Sequence, residues 1–396
     1  MDKIRIHGGR PLSGSIKISG SKNSALPILA ATLLTREPCT IRRVPDLSDT
    51  HYMLQILKHL GAEVERASGT VAVAAAKIDS IAPYDVVRKM RASVCVIGPL
   101  LGRCKEATVS LPGGCVIGDR PIDLHLKGFE ALGSAVRVEA GNIKVFAPKL
   151  TGAVINLRGK FGPTVLGTDN VMMAAVLAEG TTVIEGAGTR RIIVEGVKEL
   201  HGAEHDIIPD RIEAGTFLVA GAICGNGITV KRVEPKHVEA VTKALSNCGF
   251  KIESSENSIT VSPNGVATPL ELATEPYPGF PTDMQAQMCA LLSTTGGISV
   301  ITENIFPQRY MHVAELKRMG AHVDLEGPTA VIQGVDRLFG APVMASDLRA
   351  SAALVLAGLK ADGITDVSRV YHIDRGYEHL DEKLSELGAQ IERVQG

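Results

Sequence analysis

The sequence predicts an α/β fold assembled from six copies of one unit, grouped as two lobes of three copies each. Three observations lead there. Stretches recurring every fifty to seventy residues or so share one plan, a longer period than most solenoid repeats have. That plan is a polar or charged cluster, an apolar helix, a Gly-x-Thr-like turn into a strand, an amphipathic helix ending in Leu-Gly-Ala, and another strand. The chain has 396 residues, more than one hydrophobic core usually supports. In each copy the first helix is apolar nearly all round, as in Ser351-Ala352-Ala353-Leu354-Val355-Leu356, so it belongs inside, with the amphipathic helix outside it.

Taken in order, the first copy starts at Ser21-Lys22-Asn23-Ser24. It continues through an apolar helix from Ala25 to Leu34 and a strand from Cys39 to Arg42, and its second helix closes at Leu60-Gly61-Ala62 before Glu63-Val64-Glu65. The second copy starts at Arg88-Lys89-Met90-Arg91 and closes at Leu132-Gly133-Ser134. In the third, Thr168-Asp169-Asn170 leads a helix from Val171 to Leu177, and Thr181 to Glu185 is the strand, but the amphipathic helix that should follow is missing or much altered. Either Arg191 to Ala203, ending Leu200-His201-Gly202-Ala203, is a degenerate version of it, or roughly twenty residues, the size of a helix and a strand, are absent after Ala187. The fourth copy starts near Asp210-Arg211 and closes at Cys248-Gly249-Phe250. The fifth and sixth start at Pro281-Thr282-Asp283 and Ser346-Asp347-Leu348-Arg349, and they close at Met319-Gly320-Ala321 and Leu387-Gly388-Ala389.

Composition narrows the partners. A net charge of −1 argues against a nucleic-acid surface or a polybasic membrane patch, so any phosphate binding is local. The seven cysteines form no CxxC pair or metal-like array, and several lie in apolar runs where a reduced thiol belongs, which makes the cytosol the expected compartment. No apolar run reaches the length of a membrane helix or follows a signal-peptide plan.

Chemistry concentrates at the copy starts and in one loop. Converging helix N-termini would make a positive, preorganised cavity that attracts phosphates. Ordinary capping accounts for Thr282 and Ser346. It does not account for Lys22, Arg91 and Arg349, because a cation at a helix N-terminus opposes the dipole unless an anion or carboxylate compensates. Asp283 and Asp347 bring carboxylates to the fifth and sixth starts, as a base and an ion-pair partner or simply as dipole partners. Cys115 lies in Leu111-Pro112-Gly113-Gly114-Cys115-Val116-Ile117-Gly118-Asp119-Arg120. The glycines free that backbone, and a nearby guanidinium favours thiolate; the bland alternative is a cysteine serving as a small hydrophobe at a turn. Lys22, Arg91, Arg120 and Arg375 together suit a phosphate plus a carboxylate, the charge pattern of phosphoenolpyruvate. For Arg375 the competing reading is a surface ion pair with Asp374.

These segments resemble the UDP-N-acetylglucosamine enolpyruvyl transferase family across nearly the whole chain. The resemblance rests on Ser19-Gly20-Ser21-Lys22-Asn23-Ser24-Ala25, the Cys115 loop with Pro121-Ile122-Asp123-Leu124-His125, Phe280-Pro281-Thr282-Asp283-Met284-Gln285-Ala286-Gln287, Asp347-Leu348-Arg349-Ala350-Ser351-Ala352, and Tyr371-His372-Ile373-Asp374-Arg375-Gly376. It implies a two-lobed inverse α/β barrel of βαβαββ units with the third truncated. The first lobe would span 22–208 and carry the Cys115 loop, and the second would comprise 1–21 with 209–396. The implied reaction moves the enolpyruvyl group of phosphoenolpyruvate to the 3-hydroxyl of UDP-N-acetylglucosamine, with no metal or organic cofactor. By the same resemblance Asp283 is the base and Cys115 the acid. Lys22, Arg91, Arg120 and Arg375 handle the anions, Asp347 and Arg349 are linked to closure, and Asn23, Asp123, Leu124, His125, Lys160, Ile305 and Arg309 contact the sugar nucleotide. A cysteine at 115 also implies sensitivity to the epoxide fosfomycin.

Against the family pattern the deletion reading of the third copy is favoured, because an Arg- or Lys-Glu-Pro-Glu-type segment and an amphipathic helix are lacking after Ala187. The loss should expose the inner helix Val171 to Leu177. It also raises an alternative, a silent relative that binds the sugar nucleotide without turnover. Shikimate 3-phosphate as acceptor is disfavoured by the Cys115 loop and the sugar-type contacts.

Overall fold

The structure, a computed structural model, describes residues 2–395 apart from 112–121, 160–161 and 188–189. The described residues divide into two compact bodies, one of residues 2–19 and 209–395 and the other of the described residues of 20–208. Each has its own apolar core. In the first, the helices Arg211–Cys224, Gln285–Leu292 and Leu348–Lys360 pack on one another, and in the second Lys22–Ala31 and Ile97–Cys104 both pack on Val165–Ala175. These are the inner helices expected from their all-round apolar sequence. Leu348–Lys360, for example, is buried from Arg349 to Leu359.

Five copies carry a four-stranded sheet of one design. An edge strand runs parallel to the strand after the inner helix, and an antiparallel pair completes the sheet, both of its strands following the outer helix except in the sixth copy, where one comes from the N-terminus. In the first copy Glu204–Asp206 lies parallel to Cys39–Arg42, followed by Thr70–Ala74 and then Glu63–Ala67. The sheets are open, and none of the described strands closes a barrel. The N-terminal segment completes two distant copies. Lys3–His7 inserts between Ile364–Ser368 and Gln390–Val394, and Leu12–Lys17 pairs parallel with Gly225–Lys231, which is why residues 1–19 belong with the second half of the chain.

The Leu-Gly-Ala endings are helix C-caps. Gly61, Gly133, Gly249, Gly320 and Gly388 all have φ between 92° and 100°, a left-handed conformation that costs glycine little. In each case the next residue donates its N–H to the carbonyl five positions earlier, as Ala62 does to Leu57 at 3.0 Å and Ala389 to Leu384 at 3.0 Å. This is the Schellman arrangement, and it satisfies carbonyls that the helix end would leave orphaned.

The third copy differs. The next described strand after Thr181–Ala187 is Arg190–Glu195, which pairs back on it in a sheet of three strands with Val154–Asn156. No helix occupies Arg191 to Ala203, so the degenerate-helix reading is wrong and a helix and a strand are missing. The inner helix also starts earlier than expected. It spans Val165–Ala175, capped by Thr164, whose hydroxyl accepts from Gly167 N, so Thr168-Asp169-Asn170 lies inside it. It is not laid bare. Val171, Met173, Ala174 and Ala175 are buried because Ile97–Cys104 and the second copy's outer helix, Asp123–Ala131, both pack on it. Gly128 permits the latter approach, since a Cβ there would meet Val171 Cγ2 at 2.2 Å. No helix among the described residues is long and apolar enough to cross a membrane.

Candidate active site

In the body of residues 209–396, Asp283 sits in a short 3-10 turn, Thr282–Met284, that enters helix Gln285–Leu292. Arg309 Nη2 lies 2.8 Å from Asp283 Oδ1 and Arg349 Nε 3.5 Å from the same oxygen. Burial alone would raise the Asp283 pKa, but the guanidiniums of Arg349, Arg309 and Arg211 outweigh it and hold the carboxyl well below the usual carboxylate range. Thr282 is not the cap expected of it. Its hydroxyl donates to Glu303 Oε2 at 2.9 Å and accepts from Arg309 Nη1 at 3.1 Å. Buried Glu303 also takes the backbone N–H groups of Ile305 (2.9 Å) and Phe306 (3.0 Å), so one carboxylate fixes the turn that carries Ile305 and Arg309.

Arg349 is held from behind. Its guanidinium lies 5.4 Å from the Tyr377 ring centre, within cation–π range. Thr216 donates to Ile212 O at 2.8 Å, so the Tyr377 hydroxyl, 3.0 Å away, donates to Thr216 Oγ1. The buried Gln287 amide then reaches both Tyr377 Oη at 3.2 Å and the Asp283 carbonyl at 3.0 Å. Ser346 is not a cap either. Asp347 is the N-cap, accepting from Arg349 N at 2.8 Å and Ala350 N at 3.2 Å. Asp374 is taken by Arg393 through two bonds of 2.9 and 2.8 Å, and Arg375 is half-buried two residues before Tyr377.

In the other body Lys22 is the first residue of helix Lys22–Ala31, and Ser21 caps it. Its compensating carboxylate is Asp49, 3.1 Å away and 2 % exposed, just as Asp283 compensates Arg349. Sequence reasoning had singled out neither Asp49 nor the Tyr377–Gln287–Thr216 group. Asn23 beside Lys22 is exposed, and Arg91 opens the 3-10 segment Arg91–Val96. Helix Asp123–Ala131 begins with exposed Asp123, carries Leu124 against Gly159, and buries His125. Burial, then the charge of Arg91, lowers the His125 pKa to about 4, against the opposite pull of Asp123. Cys115, Arg120 and Lys160 lie outside the described residues. The six described cysteines are free. Burial pushes the Cys224 and Cys289 thiols up to about 12 and the Cys248 thiol to about 11, so these are inert at neutral pH.

Over 420 aligned positions, covering all of this chain and 99% of the relative, the sequence is 57% identical to the UDP-N-acetylglucosamine 1-carboxyvinyltransferase of Akkermansia muciniphila. The chain belongs to that family. The enzyme of the same name from Methylacidiphilum infernorum is 56% identical over 417 positions, covering all of this chain and 99% of the relative. Both alignments are longer than the chain's 396 residues, so these relatives carry residues with no counterpart here, as a shortened third copy requires. The family model for EPSP synthase (3-phosphoshikimate 1-carboxyvinyltransferase) matches twice, over 6–190 and 183–384. Among solved structures, the enolpyruvyl transferase NikO from Streptomyces tendae aligns with a TM-score of 0.87 at 23% identity, covering 100% of this chain and 99% of that one. EPSP synthase from Acinetobacter baumannii aligns with a TM-score of 0.76 at 16% identity, covering all of both chains. At those identities the two structures establish the fold of this family member, a two-body repeated α/β enolpyruvyl transferase fold.

Proposed function

We propose that the chain transfers the enolpyruvyl group of phosphoenolpyruvate to the 3-hydroxyl of UDP-N-acetylglucosamine with release of phosphate, a step that commits the sugar nucleotide to peptidoglycan precursors, in the cytosol. The observation that carries the reading is Asp283 gripped by Arg309 and Arg349, in a chain 57% identical along its length to an enzyme of that name. Asp283 takes the proton of the sugar 3-hydroxyl while that oxygen attacks C2 of phosphoenolpyruvate, and Cys115 delivers a proton to C3. The product of addition is a tetrahedral phospholactoyl ketal. Loss of a proton from its methyl group and departure of phosphate then give the enolpyruvyl ether. Lys22, Arg91, Arg120 and Arg375 neutralise the phosphate and carboxylate, and Asn23, Asp123, Leu124, His125, Lys160 and Ile305 hold the sugar nucleotide.

The grip on Asp283 bears on timing. A carboxylate paired with two guanidiniums is a weak base. Anionic substrate groups that draw Arg349 and Arg309 toward themselves restore its basicity, so proton removal waits for the ligands. Asp347, fixed as a helix cap, keeps the start of the Arg349 helix in place meanwhile.

Steady-state phosphate release tests this. Release should require both substrates, disappear after fosfomycin treatment, and survive fosfomycin in Cys115→Asp. Sugar-nucleotide binding without phosphate release would support the silent relative and overturn the proposal, and turnover with shikimate 3-phosphate would overturn the acceptor.

A further inference from the structure

Asn170 is completely buried inside helix Val165–Ala175, an uncommon place for an amide, and its side-chain bonds all cross to elements of the second copy. Its Oδ1 accepts the backbone N–H of Gly98 at 2.6 Å, and its Nδ2 donates to the backbone carbonyl of Val94 at 2.8 Å. A peptide N–H only donates and a carbonyl only accepts, so these two contacts fix which end of the amide is which. The close approach needs a glycine. A Cβ at Gly98 would meet the Asn170 carbonyl oxygen at 2.1 Å and Oδ1 at 2.7 Å.

The remaining Nδ2 hydrogen faces His125 Nδ1, 3.1 Å away. That nitrogen therefore accepts, and the imidazole proton resides on Nε2. Protonating the ring would set a second N–H against the amide hydrogens. That penalty adds to burial and to the nearby Arg91 charge, which already hold the ring neutral, with Asp123 the opposing charge. Asp169, the neighbour of Asn170, has its carboxyl pushed by burial to about 6.

We propose that Asn170 is a positioning residue that locks His125 as a neutral Nε2–H donor to an oxygen of the bound sugar nucleotide, so that this imidazole binds and does not shuttle protons. The ligand half rests on the sugar-nucleotide contact proposed above; the tautomer half does not. A buried amide pinned by two peptide groups is a rigid template, whereas a water or hydroxyl in its place would let the ring choose either tautomer.

Long-range 1H–15N spectra of histidine-labelled protein test it, with His125→Gln identifying the signals. In the free wild-type enzyme Nδ1 should be unprotonated and Nε2 protonated, unchanged from pH 5.5 to 8. Titration of Asp169 shifts the signals but not this pattern. Asn170→Asp replaces the donor by an acceptor, so Nδ1 should gain a proton. KM for UDP-N-acetylglucosamine should then rise about tenfold or more, while KM for phosphoenolpyruvate changes less than twofold. An Nδ1–H tautomer in wild type, or a ring titrating within that range, overturns the lock, and this needs no variant to fold. A flipped tautomer with an unchanged sugar-nucleotide KM overturns the ligand half alone. If both KM values rise together, Asn170 is a general packing residue and the proposal fails.

Discussion

Asp283, a quarter exposed, and buried His125 are titratable groups, one in each body, and they are held in opposite ways. Asp283 is surrounded by charge, with Arg309, Arg349 and Arg211 acting on it. His125 is held by a neutral amide and kept uncharged. The first arrangement responds to any anion that competes for the guanidiniums; the second is indifferent to pH across the physiological range. The difference teaches that a group meant to change its protonation is set among charges for which a ligand can compete, while one meant only to recognise is set against fixed peptide dipoles.

The largest break in this comparison comes from Asp283→Asn, which removes the base and should lower kcat for phosphate release by about 10²–10⁴-fold; a loss below about fivefold would remove Asp283 from the proton transfer. Arg349→Gln sharpens it. With one guanidinium gone the Asp283 carboxyl pKa rises from well below the usual carboxylate range, so the acid limb of the kcat/KM profile should lie at higher pH than in wild type. An unmoved limb would mean that Arg349 does not tune the base. At the neutral centre, Gly98→Ala forces a methyl against the Asn170 carbonyl and should cost about 1–3 kcal/mol in urea unfolding. Unchanged stability would show that the inner helices separate freely.

The smallest effect concerns Asp169. Its pKa is raised from 3.8 to about 6 by burial, so the folded state binds more protons than the unfolded, and stability falls as pH rises from near 4 through 6. Asp169→Asn should therefore stabilise the protein by about 1–2 kcal/mol at pH 7 and by nothing below about pH 3, under the unfolded pKa. His125 has the opposite sign. Its folded pKa lies below its unfolded value, so its contribution is complete above about pH 6.5 and lost as pH falls toward 4.

The repeat was legible because its signals are local. Five Leu-Gly-Ala-type endings became five left-handed caps, and Cys39 to Arg42 is the strand the sequence indicated. What was missed is long-range. Lys22 and Asp49 are 27 residues apart, His125 and Asn170 45, and Gln287 and Tyr377 90, and no periodicity announces such pairs. Local polarity also misled. Thr168-Asp169-Asn170 looked like a helix start because polar residues favour caps, but the third helix is capped four residues earlier by Thr164, Thr168 bonds back to the Thr164 carbonyl, and Asn170 is turned to tertiary bonds. Thr282 failed as a cap for the same reason, since Glu303 and Arg309 claim its hydroxyl.

The shortened third copy has a consequence for solubility. In the five complete copies the outermost strand next to the hairpin's inner strand is studded with charge: Glu63–Ala67, Ala135–Glu139, Lys251–Ser254, His322–Glu326 and Gln390–Val394. Charged margins of this kind discourage sheets from adding neighbours. With the corresponding strand lost, Arg190–Glu195 becomes the margin; Arg190, Arg191 and Glu195 are charged, but between them runs an unbroken apolar stretch, Ile192-Ile193-Val194, with Ile193 60 % exposed. A ribbon suited to the interior of a sheet now forms its rim, which makes this the place where heated or concentrated protein should first self-associate, and Ile193→Lys the change that should delay it.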